Sequence, residues 1–127
     1  TYSAHPVGAA AVCACLSETQ RISTKDNAGV RGKQLYEGIQ RLKKKFDLIG
    51  DVRGGQGLMA AIEVVSDPNK KTPMDMDTMK KLHQKTYEAG AMVRLGLNNI
   101  LMSPPLVISE AEIDQILDAL DYGFSSI

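Results

Sequence analysis

The stretch Asp51-Val52-Arg53-Gly54-Gly55-Gln56-Gly57-Leu58-Met59-Ala60-Ala61-Ile62-Glu63-Val64-Val65 decides the fold class of this chain. From Leu58 onward, Leu58, Ala60, Ile62 and Val64 alternate with Met59, Ala61, Glu63 and Val65. A period of two belongs to a strand, whose successive side chains point to opposite faces. Upstream, Leu48 to Arg53 reads as a shorter strand, and Gly54-Gly55-Gln56-Gly57 separates the two. Glycine supplies the positive φ that hairpin connections and bulges require, so the stretch predicts an antiparallel hairpin. A phosphate-cradling glycine loop would run from a strand into a helix, whereas here a strand follows.

Helices flank this hairpin. Upstream, Leu35, Ile39, Leu42 and Phe46 recur at helical spacing and define one face of a helix ending near Phe46. Arg41, Lys43, Lys44 and Lys45 are then its solvated face and last turn, where cations complement the helix dipole. The polar run Thr24 to Asn27 reads as a turn. Before it, Pro6 to about Ile22 is rich in Ala, the best helix former, with Val7, Ala10, Ala11, Ala14 and Cys15 apolar. This predicts a largely buried helix, with Ser3 as its cap and Pro6 in its first turn. Cys13 and Cys15 are two apart and point in different directions, so they are expected to be buried, reduced thiols, which favours the cytoplasm.

Downstream, Asp67 to Asp75 is a surface loop. A helix follows from Asp75 or Asp77, with Met76, Met79, Leu82 and Thr86 on one face and Gly90 at its end. Ala91 to Arg94 and Ile100 to Met102 read as short strands joined by a turn over residues 96–99, and Pro104-Pro105 stops the second. Ser109 and Glu112 have capping-box spacing, and Ile108 and Ile113 stand where a hydrophobic staple would close. Ile113, Ile116, Leu117 and Leu120 give the last helix its buried stripe. The order α-α-β-β-α-β-β-α predicts an α+β fold, a small antiparallel sheet packed by helices.

The chain has 127 residues, 43% of them hydrophobic and 24% charged, which suits one domain with a real core. Fifteen basic residues balance fifteen acidic ones, which argues against a nucleic-acid or anionic-membrane partner. There is no apolar run of the roughly 18 residues a span needs, and no signal-peptide pattern at the start. His5 and His83 share no ligand spacing with the cysteines, so no metal is expected. His5 is assigned to the turn before the first helix and His83 to the rim of the third. Glu63 receives no catalytic role, and the methionines read as core filler.

Three segments carry a family resemblance: Thr1-Tyr2-Ser3-Ala4-His5-Pro6, the hairpin quoted above, and Arg94 followed at short distance by Ser103-Pro104-Pro105-Leu106. Together they resemble the C-terminal small domain of a class III (omega-type) pyridoxal-phosphate-dependent aminotransferase, a fold-type I enzyme. The resemblance runs from Thr1 to about Phe124, with one residue more in the hairpin than the family pattern. It implies that residues 1–127 form a single C-terminal small domain, whose entry helix (1–22) adjoins a large domain outside this sequence. The chain starts within a motif and without Met, which is expected of a chain that begins in mid-protein.

The resemblance also implies roles. Thr1 would hydrogen-bond the phosphate of pyridoxal phosphate in the neighbouring subunit, which makes the enzyme a homodimer. Arg94 would bind the substrate's carboxylate, to which a guanidinium presents a matching planar fork of donors. Read from the residue alone, Arg94 is first a strand-end Arg reaching water or an acid, since most Arg are exposed. The Schiff-base Lys and the acid that pairs with the cofactor's ring nitrogen belong to the large domain, so the fragment is expected to be inactive and prone to self-association through uncovered apolar surface. The full-length protein would move an amino group between an amine or amino acid and a keto acid such as pyruvate. Two alternatives stay open: a free-standing, non-catalytic α+β ligand-binding or interaction module, and a different pyridoxal-phosphate reaction on the same scaffold, such as an aminomutase or a decarboxylase.

Overall fold

The computed structural model describes residues 3–127. Nine elements follow in order: α1 (Pro6–Arg21), α2 (Thr24–Lys45), β1 (Ile49–Gly55), β2 (Gly57–Asp67), β3 (Thr72–Pro73), α3 (Met76–Glu88), β4 (Arg94–Gly96), β5 (Asn99–Met102) and α4 (Glu110–Ser125). The sheet has the order β1-β2-β5-β4, every pairing antiparallel, and β3 pairs with the far end of β2. The α+β architecture is as the sequence predicts.

Alternation along β2 sorts the two faces of the sheet. Leu58, Ala60, Ile62 and Val64 are buried beneath the helices, whereas Met59 is 77% exposed on the open face. Val65 departs from the pattern and is fully buried. There β2 bends past β1, the Val65 amide donating to the Leu48 carbonyl at 2.8 Å, and the side chain packs over Gly50. In the hairpin Val52 faces Ile62 and Gly55 faces Gly57, with a register shift between Arg53 and Gly55. Gly55 (φ +92°) and Gly57 (φ +82°) are both left-handed, as the glycine reading requires. The first strand nevertheless continues to Gly55 rather than stopping at Arg53.

α2, α3 and α4 close the core. Leu35 and Ile39 of α2, Met79 and Leu82 of α3, and Ile113 and Leu120 of α4 are fully buried against Ile62, Val64 and Ile100 of the sheet. Phe46 stacks on Phe124, ring centroids 5.4 Å apart, and joins the end of α2 to the end of α4. The basic cluster at the end of α2 is a solvated face, with Lys45 paired to Asp121 at 2.6 Å and Lys43 to Asp51 at 3.5 Å. Ser109 caps α4 in a full capping box with Glu112, and Asp75 caps α3 by accepting from the amides of Asp77 and Thr78. Met76, expected on the inner face of α3, is 44% exposed because it falls on the helix's first turn, ahead of the sheet. Among the described residues no helix is long and apolar enough to cross a membrane.

Several expectations need correction. α1 is a helix, but none of its residues is buried: Val7, Val12 and Leu16 are more than half exposed. It packs chiefly on α2, and its small apolar residues are spread around the helix instead of gathered in a stripe, so the described chain leaves it largely uncovered. Cys13 and Cys15 are therefore exposed free thiols, not buried ones. The cap of α1 is His5, whose Nδ1 accepts from the Gly8 amide at 3.1 Å, and not Ser3. Thr24 to Asn27 is no turn but the first turn of α2. The chain reverses at Ile22 and Ser23, where Ser23 adopts a left-handed conformation (φ +50°).

The strand expected over Ala91 to Arg94 is displaced: β4 begins at Arg94. Its register with β5 pairs Arg94 with Leu101, so Ala91 would lie opposite Pro104, which has no amide to donate. Ala91 and Val93 still point inward and are buried, while Met92 between them is 83% exposed.

Candidate functional site

A groove of about 970 Å³ opens at the β4 edge of the sheet, between the end of α3, the segment 90–95, the end of β5 and the start of α4. The sequence builds each wall. Gly90 ends α3 with a left-handed φ of +101° that turns the chain back, and the Ala91 amide donates to the Thr86 carbonyl at 3.2 Å. Pro104 and Pro105 end the ladder of β5 and lead the chain away toward the capping box of α4. Between these limits the lining is mainly apolar, with Met92, Leu95, Leu101, Ile108 and Ile116 beside Tyr87 and Gln115.

Arg94 stands in this groove, at the first residue of β4. Directly opposed residues of antiparallel strands share a face. The pairs Arg94–Leu101, Leu101–Ala61 and Ala61–Arg53 therefore place two arginines in one row across the open face of the sheet. Arg53 is engaged: its Nε donates to Asp51 Oδ2 at 3.0 Å, and Glu63 lies 3.8 Å away. Arg94 is exposed and has no ion pair among the described residues. The acidic residue of the groove is Glu112. Its carboxylate accepts from the Ser109 hydroxyl at 2.7 Å and the Ser109 amide at 2.8 Å, and these bonds hold it below its ordinary range. The groove thus offers an unneutralised guanidinium at the rim of an apolar cleft, which is what a small molecule with a carboxylate and an apolar body requires.

The other expected site residue, Thr1, lies outside the described residues. No lysine lines the groove, so nothing here can anchor a carbonyl cofactor through a Schiff base. These residues fit a substrate carboxylate and not the cofactor's own covalent anchor. Among the described residues no group of three or more His, Cys, Asp or Glu could hold a metal. His5 is occupied as the cap of α1.

Sequence reading missed three residues that line the groove with Arg94. His83 reaches the peptide just before it, its Nε2 lying 2.9 Å from the Val93 carbonyl oxygen. Tyr87 follows His83 by one helical turn on the same flank of α3, and Gln115 comes from α4. The spacing of His83 and Tyr87 was a signal that they share a face. That this face looks onto β4 depends on the Gly90 turn, which no local pattern gives.

The sequence model of the family "Aminotransferase class-III" matches residues 1–122. The chain is 33% identical over 130 residues to an Arabidopsis thaliana protein named alanine–glyoxylate aminotransferase 2 homolog 2, mitochondrial, covering all of this chain and 27% of that one. It is 31% identical over 134 residues to the taurine–pyruvate aminotransferase of Bilophila wadsworthia, again covering all of this chain and 29% of the relative. Among solved structures, an amine transaminase from an uncultivated Pseudomonas species, in its PLP-bound internal aldimine form, superposes with a TM-score of 0.91 at 35% identity. That match covers 98% of this chain and 28% of the other. The chain thus spans somewhat more than a quarter of the length of the proteins it matches.

Proposed function

From the premise that this chain belongs to the class-III aminotransferase family, we propose that it is the single C-terminal small domain, residues 1–127, of a pyridoxal-phosphate-dependent aminotransferase. The longer protein moves an amino group between an amine or amino acid donor and a keto acid such as pyruvate. The observation that carries this reading is Arg94, a guanidinium without an ion pair among the described residues, at the rim of an apolar groove. Its fork takes the donor's carboxylate through two parallel hydrogen bonds, and the apolar lining takes the rest of the molecule. The cofactor, when bound, supplies the electron sink that makes the donor's α-proton labile. Its covalent anchor lies outside this sequence, and the isolated chain is inactive.

Thr1 is proposed to donate to the cofactor's phosphate in the partner subunit, which makes the working enzyme a homodimer. The uncovered apolar residues of α1, Val7, Val12 and Leu16, support the reading of this chain as part of a longer protein, since a helix so exposed needs a cover such as the large domain. The cytoplasm is the compartment proposed for it, where exposed thiols such as those of Cys13 and Cys15 stay reduced.

The test is Arg94→Ala in the full-length protein. With L-alanine as donor kcat/KM is expected to fall about a hundredfold, the loss of two charge-assisted hydrogen bonds. With isopropylamine, which has no carboxylate, it is expected to stay within about twofold of the parent, since the deleted bonds are not made. Full retention of L-alanine turnover would remove Arg94 from substrate binding. A wild-type protein that interconverts the alanine enantiomers but transfers no amino group to pyruvate would replace the transfer reaction altogether.

A further inference from the structure

Val93 and Arg94 share one planar peptide group, so whatever holds the Val93 carbonyl also fixes the direction in which the Arg94 backbone sets out. That carbonyl oxygen is 2.9 Å from His83 Nε2. A carbonyl can only accept, so Nε2 carries the proton and donates. The bond is made at the one place where the sheet gives least help. β4 begins at Arg94, Val93 lies just outside the ladder, and residues further back would face the donor-less Pro104. His83 itself sits on a firm platform. α3 is capped by Asp75, and Met79, Leu82 and Thr86 on its inner face are fully buried. Arg94, by contrast, has an exposed side chain with no ion pair among the described residues, so the aim of its guanidinium depends on its backbone.

We propose that His83 is a positioning residue for Arg94, fixing through the Val93 carbonyl the direction from which the guanidinium meets a substrate carboxylate. The proposal rests on the reading of Arg94 as the carboxylate clamp. A loose Val93–Arg94 peptide leaves the guanidinium present but spread over many orientations, and binding of a carboxylate then has to order it first. The effect is selective by nature: donors with a carboxylate feel it, and donors without one do not.

The experiment compares His83→Leu, His83→Gln and Arg94→Ala in the full-length protein, following the donor half-reaction with L-alanine and with isopropylamine. Amide hydrogen exchange at residues 94–96 gives a readout independent of turnover. In His83→Leu, kcat/KM for L-alanine is expected to fall up to about tenfold, chiefly through KM, as the loss of one hydrogen bond permits. Isopropylamine should be unaffected and exchange at β4 faster. His83→Gln, whose amide nitrogen can reach the same carbonyl, should restore both. If His83→Leu does not fold, His83→Asn, whose donor stops short of the carbonyl, makes the same comparison.

An unchanged ratio of the two donors in His83→Leu, beside a collapsed ratio in Arg94→Ala, would overturn the role of His83 while leaving the clamp intact. Equal losses with both donors would make His83 a purely structural residue. An unchanged ratio in Arg94→Ala would bring down the clamp, and the inference with it.

Discussion

Gly32 and Gly29 lie one turn apart on α2, and their surroundings differ completely. A Cβ at Gly32 would run into the carbonyl of Gly57, because helix and hairpin backbone approach each other there; a Cβ at Gly29 would meet nothing within 4 Å. Replacing glycine by alanine in a helix interior gains roughly 1 kcal/mol of propensity at either site. At Gly32 the neighbour is backbone, which cannot swing aside, and overpacking of that kind costs about 1–3 kcal/mol. The collision wins. Gly32→Ala is expected to lower the thermal midpoint by several degrees and Gly29→Ala to raise it slightly, both by circular dichroism melts. A stabilised Gly32→Ala would mean that the hairpin can back away from the helix. The contrast was open to sequence reading, since Gly32 precedes Leu35 by three residues and so continues the stripe of Leu35, Ile39 and Leu42, whereas Gly29 lies off it. Arg94 was legible in another way. Its residue type and place suggested the clamp, but its freedom from an ion pair, against the engaged Arg53 in the same cross-strand row, is a fact of register that only the assembled sheet supplies.

Two helices are held at their starts by carboxylates. The Asp75 carboxyl lies below its ordinary range, first because of the Thr78 amide and then because of the Thr78 hydroxyl. Glu112 is lowered by the Ser109 hydroxyl and then by the Ser109 amide. A carboxyl whose pKa is depressed on folding adds stability that is present above its unfolded value and lost as pH falls through its folded one. The thermal midpoint is therefore expected to decline below about pH 4, the ordinary carboxylate range, and not between pH 6 and 8. Asp75→Asn combined with Glu112→Gln keeps cap-forming groups but removes both titrations, so the acid limb should become shallower. A limb of unchanged slope would assign the acid loss to other carboxyls, such as Asp51. There burial pushes upward, but Arg53, the Val52 amide and Lys43 together hold the carboxyl down. These caps were readable at element level because each depends on residues within one turn. The boundaries that were misread depend on partners far away. Ala91 to Val93 has the alternation of a strand, but the register would set Ala91 opposite Pro104, and Thr24 to Asn27 has the composition of a turn but belongs to α2, where Asn27 Nδ2 donates to the distant carbonyls of Leu106 and Ile108.

For the whole molecule, the decisive asymmetry lies between α1 and everything after it. α2, α3 and α4 each place several fully buried side chains in one continuous core with the sheet, whereas α1 places none and packs chiefly on α2. Composition could not reveal this. An Ala-rich helix with scattered Val, Cys and Leu reads as a buried one, and its real burial depends on surfaces beyond those the described chain supplies. Folding stability should follow the core. A chain of residues 23–127 is expected to melt cooperatively within a few degrees of residues 1–127, because removing α1 deletes almost no buried apolar area. Association should follow α1. Residues 1–127 are expected to self-associate at concentrations where residues 23–127 stay monomeric, since Val7, Val12 and Leu16 form the apolar surface that is lost. Sedimentation velocity on the two chains, with melts on the same samples, separates the two effects. If the shorter chain unfolds, α1 contributes to the core through α2 in a way its exposure does not suggest. If both chains associate alike, the sticky surface is the open face of the sheet around Met59, Leu101 and Met92, the face that also carries Arg94.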